Sequence, residues 1–137
     1  MCARFIDVRF MRALHKKGKL PMPFLNILTN TTIPDEERRQ VLQAASSTIS
    51  EMLGKPESYV MIHLADKAAL SFGGSDEPAC LLQLKSLGLP EERTKDFSSR
   101  LCDFADAHLG IEPDRTYIEF SNPPRHMWGY DRHTFQR

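Results

Sequence analysis

Pro23 is the residue whose chemistry depends most on where the polypeptide starts. Joined to Met22, its nitrogen is a tertiary amide with no proton to give and no usable basicity. As a free terminus it is a secondary amine on a rigid ring, with its lone pair held in one direction. A free α-amino group titrates at about 7.7–8.0, against about 10.4 for lysine, and burial or a neighbouring cation lowers it further. A base of that strength suits removal of a proton from a carbon beside a carbonyl, given something electropositive for the developing enolate oxygen.

The other reactive residue types offer less. Cys2, Cys80 and Cys102 lie far apart with no C-x-x-C pair, which argues against a disulfide scaffold, a zinc knuckle or a thioredoxin-like redox site. They read as reduced thiols of a mostly intracellular protein, Cys102 packing as a small hydrophobe. His63, His108, His126 and His133 lack metal-ligand spacing and read as structural or surface residues. Lys55, taken alone, reads as a solvated lysine near a helix end, where a cation suits the dipole.

Length and composition set the frame. The 137 residues, 41% hydrophobic and 26% charged, fit one packed domain. Eighteen basic residues balance eighteen acidic ones, so nothing points to nucleic acid or an anionic membrane as partner. That balance is also compatible with self-association. No apolar run approaches the roughly 20 residues needed to span a bilayer, so a soluble protein is expected. Residues 1–22 differ in kind: Arg4, Arg9, Arg12, Lys16, Lys17 and Lys19 face a single acid, Asp7. Charges interrupt any signal-peptide h-region, and the absence of serine and threonine weighs against a mitochondrial-type presequence. The segment is read as an extension, either a disordered tail or a stretch upstream of a true start at Met22, and the second reading is favoured. The domain proper is placed at 23–137.

From Pro23 onward the pattern is read as two β-α-β units. Residues 24–28 form an apolar strand, and Pro34 opens a helix with Asp35, Glu36 and Glu37 in its first turn. Leu42, Ala45, Ile49 and Met52 mark its buried face, and Gly54 ends it. Residues 58–64 are a second strand. Residues 79–87 then form a third, Glu91 and Glu92 start a helix buried through Phe97, Leu101, Phe104, Ala105 and Leu109, Gly110 stops it, and residues 116–120 close the sheet. Right-handed crossovers put both helices on one face of a single mixed sheet, an α/β two-layer domain. Strands apolar on nearly every residue, including Val60, Ile62, Leu82 and Leu84, are expected to be buried on both faces, which predicts self-association.

Met22-Pro23-Phe24-Leu25, Gly54-Lys55-Pro56-Glu57-Ser58-Tyr59, Phe72-Gly73-Gly74-Ser75-Asp76-Glu77-Pro78, Ser86-Leu87-Gly88 and Pro113-Asp114-Arg115-Thr116-Tyr117-Ile118 occur in this order. Together they resemble the macrophage migration inhibitory factor family, which includes D-dopachrome tautomerase, across essentially all of 23–137. The resemblance implies a tautomerase-type fold, a homotrimer with active sites between neighbouring subunits, and cofactor-free interconversion of keto and enol forms of phenylpyruvate-like or dopachrome-like compounds. In that frame Pro23 is base and acid, and Lys55 pairs with a substrate carboxylate. The backbone N–H at Leu87 donates to substrate, Phe24 flanks the proline, and Tyr117 reaches in from the adjacent subunit. Tyr59, Trp128, Tyr130 and Phe135 are candidates for an aromatic wall, with ordinary packing the stronger reading for Tyr59.

Three departures stand out. Glu119 occupies a position where some members carry a neutral amide, which would disfavour an anionic keto acid or shift selectivity. The C-x-x-C pair of some animal members is absent, which puts thiol oxidoreduction in doubt. Residues 128–133 differ from the usual small polar tail, which bears on pocket shape. An alternative from a different class is a cytokine-like binding protein with weak or vestigial activity, directed at a cell-surface receptor. The expected location is cytoplasmic, with export by a route needing no signal peptide as the family analogy allows, and organelle targeting by residues 1–22 left open.

Overall fold

The computed structural model describes residues 22–136, and the extension expected at the start of the chain lies outside the described residues except for Met22. Strand β1 (Phe24–Thr29) runs through the middle of a four-stranded sheet. Helix α1 (Asp35–Leu53) returns the chain to β2 (Met61–Ala65), parallel to β1. Strand β3 (Cys80–Lys85) pairs antiparallel with the other side of β1. Helix α2 (Thr94–Leu109) then leads to β4 (Thr116–Ser121), parallel to β3. The order β2-β1-β3-β4 is thus two β-α-β units joined back to back, as the sequence pattern predicts. Among the described residues no helix is long and apolar enough to cross a membrane.

Both helices pack on one face of the sheet. Phe97, Leu101, Phe104, Ala105 and Leu109 are all buried, as expected. In α1 the buried residues are Val41, Ala45, Ile49 and Met52. Leu42, assigned to that face from spacing, is instead exposed. The i, i+4 row runs through Val41, and Leu42 sits about 100° further round the helix. Gly54 and Gly110 end the two helices at φ 64° and 69°, a left-handed conformation that costs a glycine little. The second strand starts later than expected because Pro56 nucleates a turn of 3₁₀ helix, Glu57–Tyr59. The N–H groups of Tyr59 and Val60 bond back to Pro56 and Glu57 and do not join the sheet there.

The residue pattern offered for two-faced burial needs correction. Leu82 and Leu84 belong to the core beneath the helices, as do Leu25 and Ile27, and Val60 and Ile62 pack against it. The alternate residues on the open face are mixed: Phe24, Leu28, Met61, Leu81 and Tyr117 are apolar, but Asn26, His63, Gln83, Lys85 and Glu119 are not. Period-two alternation puts Val60, Ile62, Leu82 and Leu84 on one side of the sheet. The argument for self-association therefore rests on fewer apolar residues than the sequence suggests.

Two polar clamps hold the connections. The Asp66 carboxylate accepts the Ile33 N–H at 2.8 Å and the Arg38 guanidinium at 3.0 Å, tying the entry of α1 to the end of β2. Its acidity is raised first by the backbone hydrogen bond and then by Arg38, so its carboxyl lies below the ordinary value of 3.8. Because the folded state favours the ionised form, this stabilisation is complete above the unfolded-chain value and disappears as pH falls through the folded one. The melting temperature of Asp66→Asn is expected to fall less steeply than that of the native chain on acidification from about pH 5 to pH 3, read by thermal scans. Arg115 donates to the carbonyls of Phe72, Ser75, Glu77 and Pro78 at 2.9–3.3 Å, while Asn30 holds Leu70, Asp76, Glu77 and Ala79 from the other side. Lysine lacks that planar fork, so Arg115→Lys is expected to cost about 1.5–3 kcal/mol by denaturant unfolding.

Candidate active site

Lys55 is positioned by the way α1 stops. After Gly54 the chain reverses, and the Lys55 N–H returns to the Ser50 carbonyl at 3.2 Å while the Ser50 hydroxyl donates to the Lys55 carbonyl at 2.6 Å. The side chain then runs inward and is only 8% exposed. Its ammonium donates to Ser86 Oγ at 2.7 Å and to the Leu87 carbonyl at 2.6 Å, both neutral acceptors. Burial pushes its pKa down from 10.5 to about 8. Solvated lysine, the reading without the motif, is thereby excluded.

Pro23 lies at the same end of the sheet. Phe24, the residue after Pro23, pairs with Lys85 in the antiparallel ladder, and Lys85 is followed by Ser86, the residue that holds Lys55. Pro23 is buried, and its carbonyl accepts the Met61 N–H at 3.0 Å. Ahead of it Met22 has φ 93°, a region that a non-glycine residue rarely occupies. Met22, Trp128 and Tyr130 pack against the buried pair Leu87 and Phe135. Tyr130 meets Tyr59 edge-on at 5.9 Å between ring centroids and stacks on Phe135 at 6.1 Å. Tyr59 is buried, and that burial, with the nearby Tyr130, pushes its phenol up to about 12. The ring is therefore a neutral wall at working pH. Tyr130 is presented by a short hairpin, β5 (Gly129–Tyr130) with β6 (His133–Thr134), which the sequence reading did not anticipate. Among the described residues the Leu87 N–H has no acceptor.

Phe24, the expected flank of the proline, turns to the open sheet face. There it borders a shallow groove of about 450 Å³ with Met61, Lys85, Ser121, Met127 and Trp128. Tyr117 and Glu119 stand elsewhere in the same chain. Tyr117 pairs with Leu81 and Leu81 with Leu28, four residues along β1 from Phe24, or roughly 13 Å at the rise of a strand. Its ring, 66% exposed, packs on Phe72 at 4.7 Å. Glu119 is taken up by Gln83 at 2.7 Å. One chain therefore gathers Pro23, Lys55, Leu87 and the aromatic wall, but not Tyr117 or Glu119. The Ser86 hydroxyl and the Met22 side chain are contributors that the sequence reading missed; Ser86 was legible only as the neighbour of Leu87.

Comparison with known proteins places the chain in a family. The family model for macrophage migration inhibitory factor (MIF) matches residues 22–136. The macrophage migration inhibitory factor homologs of Trichinella spiralis and Trichuris trichiura are 36% and 38% identical, each spanning 83% of this chain and 100% of its own length. The crystal structure of a macrophage migration inhibitory factor homologue from Prochlorococcus marinus superposes with a TM-score of 0.77 at 37% identity, over 82% of this chain and 99% of that one. A chain of two back-to-back β-α-β units, with a buried lysine held at the end of its central strands, thus belongs to the macrophage migration inhibitory factor family.

Proposed function

We propose that residues 23–137 form a cofactor-independent keto–enol tautomerase acting on phenylpyruvate-like or dopachrome-like compounds, with Pro23 as general base and acid once its amine is free. The observation that supports this reading is the buried Lys55 ammonium held by Ser86, next in the chain to Lys85, which pairs with Phe24 beside Pro23. A cation there lowers the proline pKa toward neutrality and offers charge to a substrate carboxylate or a developing enolate oxygen. The Leu87 N–H supplies a second donor. Tyr59, Tyr130 and Phe135 give an apolar wall for an aryl ring.

The reaction then needs only proton movement. The Pro23 nitrogen takes the proton from the carbon next to the carbonyl, the enolate oxygen is met by Lys55 or the Leu87 N–H, and the proton returns to oxygen or carbon. In this reading the working unit is a homotrimer. A neighbouring copy brings Tyr117 and Glu119 to the site, which is compatible with their distance from Pro23 within one chain. Enolisation of phenylpyruvate by a chain beginning at Pro23, followed by absorbance beside Pro23→Gly, tests the proposal. The glycine variant, which keeps an amine but loses the ring, is expected to be at least about tenfold slower. Equal rates from both chains would remove Pro23 as the base.

A further inference from the structure

The open face of the sheet carries one polar residue from each strand in a single row. His63 on β2 and Gln83 on β3 both stand opposite Asn26 on β1, and Glu119 on β4 stands opposite Gln83. The side chains are joined end to end. His63 Nδ1 lies 2.9 Å from Asn26 Oδ1, Asn26 Nδ2 donates to Gln83 Oε1 at 2.9 Å, and Gln83 Nε2 donates to Glu119 Oε1 at 2.7 Å.

This row has one direction, and Glu119 sets it. A carboxylate only accepts hydrogen bonds, so Gln83 must turn its NH₂ toward it. Reversed, the amide would bring two acceptor oxygens face to face. The Gln83 carbonyl is then left for Asn26, which must offer its own NH₂ and keep its carbonyl for His63. An amide oxygen cannot donate, so the imidazole must donate from Nδ1. With its proton there, a neutral imidazole has its lone pair on Nε2.

We infer that Glu119 fixes the tautomer of His63 through two intervening amides, making His63 Nε2 a directed hydrogen-bond acceptor on the exposed face of the edge strand β2. The group it takes is an N–H or O–H donor; a carbonyl or carboxylate finds no proton at Nε2 while the ring is neutral. Without the row, the tautomer that histidine favours in water carries its proton on Nε2 and would present the opposite polarity. Asn26 and Gln83 are positioning residues, and reversing Gln83 reverses what His63 offers two strands away. This inference stands on hydrogen-bond geometry within one chain and needs no catalytic role for Pro23.

The test is the imidazole nitrogen spectrum of the full chain, labelled with ¹⁵N and recorded at about pH 8.5, where an ordinary histidine is neutral. The His63 signals are assigned by their loss in His63→Gln. The native chain is expected to hold His63 at least about tenfold in favour of the Nδ1–H form, the ratio that one well-made hydrogen bond supplies. Glutamine at position 119 can accept or donate, so Glu119→Gln lets the row run either way and both tautomers appear. Gln83→Leu breaks the row and returns His63 to the Nε2–H form. A native His63 protonated mainly on Nε2 overturns the inference by itself, whatever the variants do. An unchanged tautomer in both variants overturns the role of Glu119.

Discussion

A chain beginning at Pro23 is expected to enolise phenylpyruvate about 10²–10⁴ times faster than the same chain with residues 1–22 attached, the range that a positioned general base contributes. Two physical effects add up in the longer chain. The first is electronic: in an amide bond to Met22 the proline nitrogen has no basic lone pair. The second is steric, since Met22 packs against Leu87 and Phe135, on the wall proposed for the substrate ring. Met22 also holds φ 93°, a conformation that costs about 1–3 kcal/mol in a non-glycine residue. Cleavage before Pro23 would relieve that strain and vacate the wall together. The two effects separate on substitution. Met22→Gly in the full chain removes the side chain and tolerates positive φ, but leaves the amide. It is expected to bind a non-reacting aryl carboxylate, followed by Trp128 fluorescence, while remaining as slow as the full chain. If the unsubstituted full chain binds that ligand as tightly as the chain beginning at Pro23, Met22 does not occupy the site. If the Pro23 chain binds it but turns over no phenylpyruvate, the tautomerase reading fails while the steric one stands.

What the sequence made legible were features with a local cause. The helix ends at Gly54 and Gly110 follow from left-handed backbone, and the buried face of α2 follows from its spacing. Lys55 is legible as a candidate site residue only through its motif, because no spacing rule says that a lysine after a helix will turn inward. What turns it is the reversal at Gly54 and the waiting acceptors on Ser86 and Leu87, thirty-odd residues away. Leu42 and Val41 are equally apolar neighbours, and only the direction in which α1 meets the sheet chooses between them. The hairpin carrying Tyr130 turns at Asp131 and Arg132, both at positive φ. Asn-Gly or Asp-Gly would have announced such a turn, and Asp-Arg does not. The His63–Glu119 row needs the register of all four strands at once, which no single segment encodes.

Replacing Lys55 by methionine is expected to lower kcat/KM for phenylpyruvate by about 10²–10³, the cost of removing one donor aimed at developing negative charge, without lowering the melting temperature. The stability half follows from linkage. The folded-state value of about 8 lies below the ordinary 10.5, so between those limits the unfolded chain holds more protons than the folded one. Stability therefore rises with pH across that window, and below it the folded state carries the full penalty of a buried charge. A fall from 10.5 to about 8 corresponds to about 3 kcal/mol, taken as a ceiling. Methionine removes that penalty but strips Ser86 Oγ and the Leu87 carbonyl of their donor, which returns about 1–3 kcal/mol. The two nearly cancel, so a sharply destabilised Lys55→Met would contradict this account of the site. The same value shapes the rate profile. The kcat/KM of the free enzyme should rise as the Pro23 amine loses its proton and fall again near pH 8 as Lys55 becomes neutral, a narrow bell. Arginine stays charged throughout, so in Lys55→Arg the alkaline limb is expected to vanish even if the maximum is lower. A native profile flat from neutrality to about pH 10 would mean that the Lys55 charge does not act on the substrate.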